Sequence, residues 1–292
     1  MFRIRSSRLC AAALTIALRL HAQTTSPLRQ TDLSVQGVAD SGGYLVYAYR
    51  ITNSRTSTGG ASLFSMDVSA PRGTGFPTLA ATGRFVHGPT VPGVTGASDH
   101  VPVGPISPPN WESFLNKNAT LDWFGTHGGF EGDIDSVAPG DGLDGFGLRS
   151  PYLPGIRRSW AAPTFRSCCT GIRPGTQATE PENPNPSEFK ISGWTVGPTI
   201  RPEAMTLDLV RADLARVCGA LRWIPDGTVC GPLQATLARA VAAAQRGDRS
   251  AARDALRGFV DALESQHGPG KPVNDNAYWL LKVNGEYLLK QM

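Results

Sequence analysis

Residues 231–259 read GPLQATLARAVAAAQRGDRSAARDALRGF, and this stretch has the periodicity of two helices joined by a tight turn. Apolar side chains recur every four positions from Leu233 to Val241, as they do on one face of a helix. Gly247 suits the left-handed position that ends a helix, and Asp248 suits the capping position that begins the next one. The stretch therefore predicts a helical hairpin.

Helical periodicity continues on both sides of this hairpin. Upstream, Pro202 suits the first turn of a helix, and downstream either Asn274 or Asp275 can cap a last helix. Both flanking segments have an inward-facing stripe, formed by Leu207, Val210, Leu214, Val217 and Leu221 in the first and by Ala277, Leu280, Leu281, Asn284 and Leu288 in the last. Short connections between helices of similar length predict an antiparallel helical bundle over residues 202–292.

The chain begins with the three parts of an export signal. Three arginines precede an apolar run over residues 9–18, and Ala22 suits the position before a signal-peptidase cut. We predict cleavage after Ala22, which makes residues 1–22 a signal peptide. The run is too short to span a membrane, which takes about 20 apolar residues. A buried N-terminal helix is the alternative.

Removal of the signal peptide also changes the charge. The whole chain has a formal net charge of +4 at pH 7, and the signal carries four arginines and no acidic residue, so the mature chain is neutral. A neutral chain without a lysine and arginine cluster lacks the positive surface that nucleic-acid binding requires. No second long apolar segment follows. We therefore predict a secreted, periplasmic or cell-surface protein with no transmembrane span after signal cleavage.

Four cysteines remain after cleavage: Cys168, Cys169, Cys218 and Cys230. An even number of cysteines in an exported chain favours disulfides, and four cysteines allow three pairings. We predict a bridge between Cys218 and Cys230, which lie on either side of the first turn between helices. A zinc site is the alternative, but CxxC spacing and a nearby histidine are missing.

A family resemblance rests on Cys218, Leu221, Ile224, Gly227, Leu233, Leu237, Ala240, Gly247, Ala251, Ala252, Leu256, Phe259, Val260, Leu263, Ala277 and Leu281. On these positions the last part of the chain, about 75 residues, resembles the FIMAH family of small helical domains at the C-termini of many extracellular bacterial proteins. The resemblance implies an appended interaction or surface-associating module and no catalytic residues. The sequence departs from it at Asn284–Gly285, which interrupt what should be a continuous final helix.

Residues 23–165 have a different pattern, with short alternating runs between Gly, Pro, Ser and Thr. Gly43–Thr52 predicts a central strand because both of its faces are largely apolar, and Leu63–Ser69 predicts a half-buried strand reached through a hairpin turn over Asn53–Gly60. Many short strands favour an antiparallel β-sandwich, and the Pro-rich residues 166–201 predict a linker to the helices. Further strand candidates are Leu33–Ala39, Arg84–His87, Thr120–Phe124 and Gly145–Arg149.

A second resemblance rests on three motifs, Pro109–Asn110–Trp111, Asp122–Trp123 and Ala138–Pro139–Gly140, the last followed by Gly145–Phe146. In these motifs the segment is similar to the immunoglobulin-like sandwich regions of secreted bacterial proteins of unknown role. The resemblance implies that Trp111, Trp123 and Phe146 anchor the core, since aromatic side chains bury large areas. The expected fold class is therefore an immunoglobulin-like β-sandwich followed by a helical bundle.

Catalytic patterns are scarce in the mature sequence. Its four histidines are scattered, and it has no HExxH motif, no paired metal-ligand spacing and no GxSxG elbow. One candidate is a catalytic triad that combines Asp99–His100 with a distant serine. A second candidate is glycoside hydrolysis by the carboxylates of Glu131, Asp133 and Asp135. Glycosidases usually place the two carboxylates on separate elements, however. We predict a non-enzymatic protein, with a hydrolase as the remaining alternative.

Acidic residues between positions 131 and 144 suggest calcium as a cofactor. Calcium takes hard oxygen ligands, and glycines here make the backbone flexible, although the spacing is not that of an EF-hand. The alternative is a solvated acidic loop without any cofactor. The candidate ligands are Glu131, Asp133, Asp135, Asp141 and Asp144.

Aromatic side chains in segments that resemble loops or the linker suggest glycan binding. Tyr152, Trp160 and Trp194 are the candidates, because flat rings stack on the apolar faces of sugars; a place in the core is the alternative. Arg157–Arg158 beside Trp160 can contact an acidic glycan or simply be solvated. The sequence thus predicts an exported, non-enzymatic protein that interacts with an extracellular or envelope protein, or with a polysaccharide as a carbohydrate-binding module.

Overall fold

The computed structural model describes residues 28–69, 101–115, 119–126, 135–163 and 191–292. The predicted signal peptide, the strand candidate Arg84–His87 and the pair Cys168 and Cys169 lie outside the described residues. The strands are β1 Thr31–Ser41, β2 Tyr44–Asn53, β3 Ala61–Asp67, β4 Gly104–Ile106, β5 Trp111–Leu115, β6 Thr120–Gly125, β7 Gly142–Ser150, β8 Leu153–Pro163 and β9 Ile191–Ile200. The helices are α1 Leu207–Cys218, α2 Gly227–Gln245, α3 Arg249–Ser265 and α4 Asp275–Gln291.

The described strands form two antiparallel sheets, one with the order β1-β2-β7-β4 and one with the order β5-β6-β3-β8-β9. β2 is central, as predicted, and pairs with β1 and β7. The predicted hairpin over Asn53–Gly60 is wrong, because β2 and β3 belong to different sheets. The Asn53 side chain donates hydrogen bonds to the Gly59 and Val137 carbonyl oxygens, at 3.0 and 2.9 Å, and so fixes a crossing between sheets.

Aromatic side chains from both sheets meet in the core. The Tyr49 hydroxyl of β2 donates a hydrogen bond to the Val196 carbonyl of β9 at 2.8 Å, and the Tyr49 ring centroid lies 6.0 Å from that of Trp123 in β6. The predicted core anchors Trp111, Trp123 and Phe146 are confirmed as buried. The Phe146 ring lies edge-on to Trp111 with centroids 4.9 Å apart. Side chains of one sheet therefore pack against those of the other.

Each of the four helices begins at a side-chain cap. Thr206, Asp226, Asp248 and Asn274 accept hydrogen bonds from backbone amides in the first turns of α1 to α4. The predicted caps Asp248 and Asn274 are thus confirmed. Gly247, with a φ of 78°, ends α2 in the left-handed conformation that the sequence predicted. α2 begins at Gly227, earlier than its predicted start at Gly231–Pro232.

α4 runs without a break through Asn284–Gly285, so the interruption predicted at these residues is wrong. Both residues have low helix propensity, and their packing gives the reason for their presence. A Cβ atom added at Gly285 would lie 2.9 Å from Val260 Cγ2 of α3, which is too close for an ordinary contact. Glycine here lets the two helices approach each other.

α4 also connects the helices to both sheets. Near the start of α4, the Asn276 side chain accepts a hydrogen bond from the Val35 backbone amide of β1 at 2.9 Å. Two turns later, the Asn284 amide donates to the Pro154 carbonyl oxygen of β8 at 3.0 Å, and both hydrogen bonds are buried. One cluster of buried apolar side chains continues from the sheets into all four helices. The helices therefore pack directly against the strands.

The prediction of a linker over residues 166–201 is wrong for residues 191–200. Ile191–Ile200 form β9, which pairs with β8 along most of its length. The segment looks irregular in sequence because it contains Gly193, Gly197 and Pro198. Pro198 is compatible with a strand here because β9 is an edge strand, where a missing backbone amide is tolerated. Residues 166–190 lie outside the described residues.

Cys218 ends α1, and Cys230 lies in the first turn of α2. Their sulfur atoms are 2.00 Å apart and their Cα atoms 6.0 Å apart, so the structure pairs the two cysteines expected to bridge. The disulfide closes the loop between the first two helices, in which Trp223 and Ile224 are buried.

Removing this disulfide should destabilise the protein. We expect the double variant Cys218→Ser, Cys230→Ser to lose about 3 kcal/mol of unfolding free energy, because the cross-link restricts the unfolded chain. Urea denaturation of both proteins, with and without reductant, measures the loss. The double variant should match the reduced native protein, and an identical midpoint for the variant and the oxidised native protein would contradict the expectation.

Candidate binding surface

β8 turns its alternate side chains to opposite faces of the five-stranded sheet. Arg157, Ser159 and Ala161 point inward and are buried, whereas Arg158 is exposed and Trp160 is half-buried on the other face. We call the face that carries Arg158 and Trp160 the outer face. Trp160 was expected in a loop, but it lies in the middle of a regular strand.

Trp194 extends the outer face onto β9. It stands directly opposite Arg158 in the β8–β9 register, and Ser192 stands opposite Trp160. Trp160 and Trp194 are therefore diagonal neighbours on the same face, a placement that puts such side chains about 7–8 Å apart. Trp194 keeps 40 % of its surface exposed. It too was expected outside regular structure and lies within a strand.

The strand register shows which residues of the neighbouring strands lie on the outer face. Trp160 of β8 is paired with Ser65 of β3, Ser65 with Asp122 of β6, and Asp122 with Phe114 of β5. Phe114 is 59 % exposed. The outer face thus has an exposed aromatic residue near each edge and half-buried Trp160 between them. Sequence reasoning missed Phe114, because only the strand pairing places it on the outer face, opposite Asp122.

Two arginines approach the Trp194 ring from different parts of the chain. The guanidinium carbon of Arg158 lies 5.3 Å from the ring centroid, and that of Arg216, in the last turn of α1, lies 5.9 Å from it. Both arginine side chains are exposed. Distances below about 6 Å are typical of attraction between a cation and an aromatic ring. Trp194 therefore marks a point where the sheet and the helices share one surface.

Arg157, the neighbour of Arg158, has a structural role. Its side chain is 5 % exposed, and its Nε and Nη2 atoms donate to the Pro198 carbonyl oxygen at 3.1 and 2.7 Å. Its Nη1 atom donates to the Ser69 carbonyl at 2.7 Å. Burial lowers the pKa of Arg157 to about 10, so the side chain stays charged at neutral pH. It ties β8 to β9 and to the end of β3.

Tyr152, the third aromatic residue predicted to bind glycan, is buried and lies in the turn between β7 and β8. Its carbonyl oxygen accepts a hydrogen bond from the Tyr47 hydroxyl at 2.7 Å. Burial raises the pKa of the Tyr152 hydroxyl. Tyr152 is 6 % exposed and is therefore not part of the outer face.

Asp213 of α1 is a buried carboxyl one helical turn before Arg216. Only 9 % of its surface is exposed. Burial raises the pKa of Asp213 from its ordinary value of 3.8 to about 7, and the positive charge of Arg216 opposes part of this rise. The sequence analysis did not single this aspartate out, because the inward-facing stripe of Leu207, Val210, Leu214, Val217 and Leu221 does not include position 213.

The calcium candidates do not come together where the structure describes them. Asp144 pairs with Arg50, and within the described residues no group of three or more His, Cys, Asp or Glu side chains is placed to hold a metal ion. Glu131 and Asp133 lie outside the described residues, as does Asp99–His100. Asp135 and Asp141 are described and belong to no such group.

One histidine and aspartate pair does occur, on the helices. His267 Nε2 lies 2.8 Å from Asp275 Oδ1, and the imidazole stacks on the Tyr278 ring with centroids 3.7 Å apart. Lys282 binds Glu264 and, at 2.6 Å, Glu286 beside this stack. These contacts join α3 to α4, and no hydroxyl hydrogen bonds to His267 in the part of the chain that the structure describes.

Comparison with models of known protein families gives no match, and comparison with curated proteins gives none either. None of the helices described in the structure is long and apolar enough to cross a membrane.

Proposed function

We propose that the chain is an exported, non-enzymatic binding protein that acts at the cell envelope or outside the cell. In this proposal the two sheets form an immunoglobulin-like β-sandwich, and the four helices form an antiparallel bundle similar to FIMAH domains. The aromatic contacts between the sheets support the sandwich, and the capped helices with short connections support the bundle. The signal-like N-terminus and the cysteine pair at bonding distance support export.

The outer face of the five-stranded sheet is the proposed binding surface, and carbohydrate is the ligand that its side chains suit best. The observation that carries this proposal is the exposure of Trp194, at 40 %, on the outer face of the sheet. Trp160 lies diagonally beside it, and Phe114 lies on the same face at the other edge. Aromatic rings provide a rigid apolar surface, and exposed patches of this kind mark interaction sites.

A protein partner from the envelope is the second candidate. Phe114 is 59 % exposed and lies on β5, an edge strand of its sheet, where backbone groups are available for another chain. This partner would contact the β5 edge rather than the surface around Trp194.

Replacing Trp194 tests the glycan proposal. We expect Trp194→Ala to lower the affinity of the mature chain for a bound polysaccharide at least tenfold, or about 1.4 kcal/mol, because the stacking surface is lost. Trp194→Phe keeps a flat ring and should retain most of the binding. Affinity gel electrophoresis with a panel of soluble polysaccharides measures the retention.

The matched control is Trp279→Ala, which removes a half-buried indole from α4 and leaves the outer face unchanged in sequence. A thermal melt of each variant shows that it is folded. Equal retention of the native protein and Trp194→Ala would contradict the glycan proposal. Binding to envelope proteins that is lost in Phe114→Ala and kept in Trp194→Ala would favour the second candidate.

A further inference from the structure

We infer that the saccharide bound at Trp194 is anionic, and that Arg158 and Arg216 hold its acidic groups beside the ring. This inference rests on the proposed glycan-binding function and names its ligand class. The expected ligand is a polysaccharide that carries carboxylates or sulfate esters. The Trp194 ring contacts the apolar face of a sugar unit, and the guanidinium groups bind the charged substituents.

The positions of the two guanidinium groups are the first support. Arg158 faces Trp194 across the β8–β9 pair, and Arg216 reaches the same ring from α1, at centroid distances of 5.3 and 5.9 Å. Two positive charges thus converge on one exposed aromatic side chain, although the predicted mature chain has no net charge. Like charges repel each other, and an anion between them relieves the repulsion.

The second support is that neither arginine has an ion-pair partner among the residues that the structure describes. Four other arginines, at positions 50, 157, 201 and 211, lie within ion-pair distance of a carboxylate. Within the described residues, Arg158 and Arg216 have no such partner. A guanidinium binds carboxylate or sulfate through two parallel hydrogen bonds, and the exposed side chains of Arg158 and Arg216 suit this geometry.

Asp213 is the acidic group whose charge interacts with Arg216. Burial raises the pKa of Asp213 to about 7, so this carboxyl is mostly protonated at pH 6 and does not neutralise Arg216. Binding measured at pH 6 therefore reports the full charge of both arginines.

Trp194 remains accessible beside the two charges. It keeps 40 % of its surface exposed although both guanidinium groups lie near its ring, with their central carbons 5.3 and 5.9 Å from the ring centroid. A sugar acid offers an apolar ring face and a negative group on the same unit, which matches this arrangement. Nucleic acid also combines rings with negative charge, but it is held by an extended row of cations. Only two cations converge on this ring among the described residues.

The test compares anionic and neutral polysaccharides on the full mature chain at pH 6 and low salt. The probes are polygalacturonate, dextran sulfate and uncharged dextran, with single-stranded DNA as the competing polyanion. We expect polygalacturonate or dextran sulfate to bind at least tenfold more tightly than dextran. The variant Arg158→Gln, Arg216→Gln should lose this preference and remain folded by thermal melt. Trp194→Ala should lose binding to all the polysaccharides.

The control variant is Arg253→Gln, Arg257→Gln, which removes the same charge from exposed positions on α3. It should keep the preference for anionic probes. Binding of dextran as tight as that of polygalacturonate, with no effect of the Arg158 and Arg216 changes, would overturn the inference while the glycan proposal stands. Lack of binding to every polysaccharide would overturn both the inference and the glycan proposal. Tighter binding of single-stranded DNA than of any polysaccharide would overturn the inference and indicate nucleic acid as the ligand.

Discussion

Arg157→Leu should destabilise the protein strongly, with a loss of about 3–5 kcal/mol of unfolding free energy. The Arg157 side chain is 5 % exposed and donates three hydrogen bonds to the Pro198 and Ser69 carbonyl oxygens. Leucine fills much of the space but leaves the buried Pro198 carbonyl oxygen and the partly buried Ser69 carbonyl oxygen without these donors. Each unsatisfied group costs about 1–3 kcal/mol. Urea denaturation followed by tryptophan fluorescence measures the loss.

The adjacent arginine is the control for this prediction. Arg158→Leu removes the same charge from an exposed position on the same strand, and we expect a change within about 0.5 kcal/mol. Arg157→Lys keeps the charge but cannot reproduce the planar set of donors, so it should fall between the two. Equal midpoints for Arg157→Leu and Arg158→Leu would show that the buried guanidinium contributes nothing to stability.

The contrast between these two arginines shows what the sequence alone could not predict. In sequence, Arg157–Arg158 is a single basic pair, and the same two roles, contact with an acidic glycan or solvation, were expected for both residues. The strand alternation separates the two residues, so that one is buried and the other faces Trp194. A strand had not been predicted at β8, because its mixture of Pro, Gly, Arg and Ala has no clear alternation of apolar and polar residues.

The elements that could be predicted have strong local signals. The caps Asp248 and Asn274 hydrogen bond within their own first turns, so a short stretch of sequence contains all that is needed. β2 has a long apolar run that predicts a strand, and Tyr47, Tyr49 and Ile51 are buried on one face, although the other face, which includes exposed Ala48, is less buried than its apolar residues suggested. Elements that depend on distant partners were missed. β9 forms because β8 pairs with it, and Asn284 is tolerated in α4 because the Pro154 carbonyl accepts its amide.

The candidate surface has the same dependence on distant contacts. Trp160 and Trp194 were identified from residue type alone, and their assignment to loops was wrong because both lie in strands. Tyr152 was selected on the same grounds and is buried. Arg216 comes from α1 and reaches Trp194 only because the helices pack on the sheet. Residue type predicted the chemistry, and the tertiary packing determined which aromatic residues are accessible.

Asp213→Asn should stabilise the protein by about 4 kcal/mol above pH 7. Burial raises the pKa of Asp213 from 3.8 to about 7 in the folded state, and each pH unit of such a difference corresponds to about 1.4 kcal/mol. Between pH 4 and 7 the folded protein binds a proton that the unfolded chain releases. The contribution of Asp213 therefore destabilises the fold progressively as the pH rises through this range, and it is constant above pH 7.

Asparagine has nearly the same shape and never ionises, so it removes this pH dependence. The gain from Asp213→Asn should be largest at pH 8, smaller at pH 5 and absent at pH 3, as measured by urea denaturation at each pH. Asp254→Asn, at an exposed position on α3, is the control and should show no comparable trend. A gain for Asp213→Asn that stays the same from pH 3 to pH 8 would mean that the carboxyl does not change its protonation on folding. The stabilisation would then come from the new amide contacts and not from removal of a buried charge.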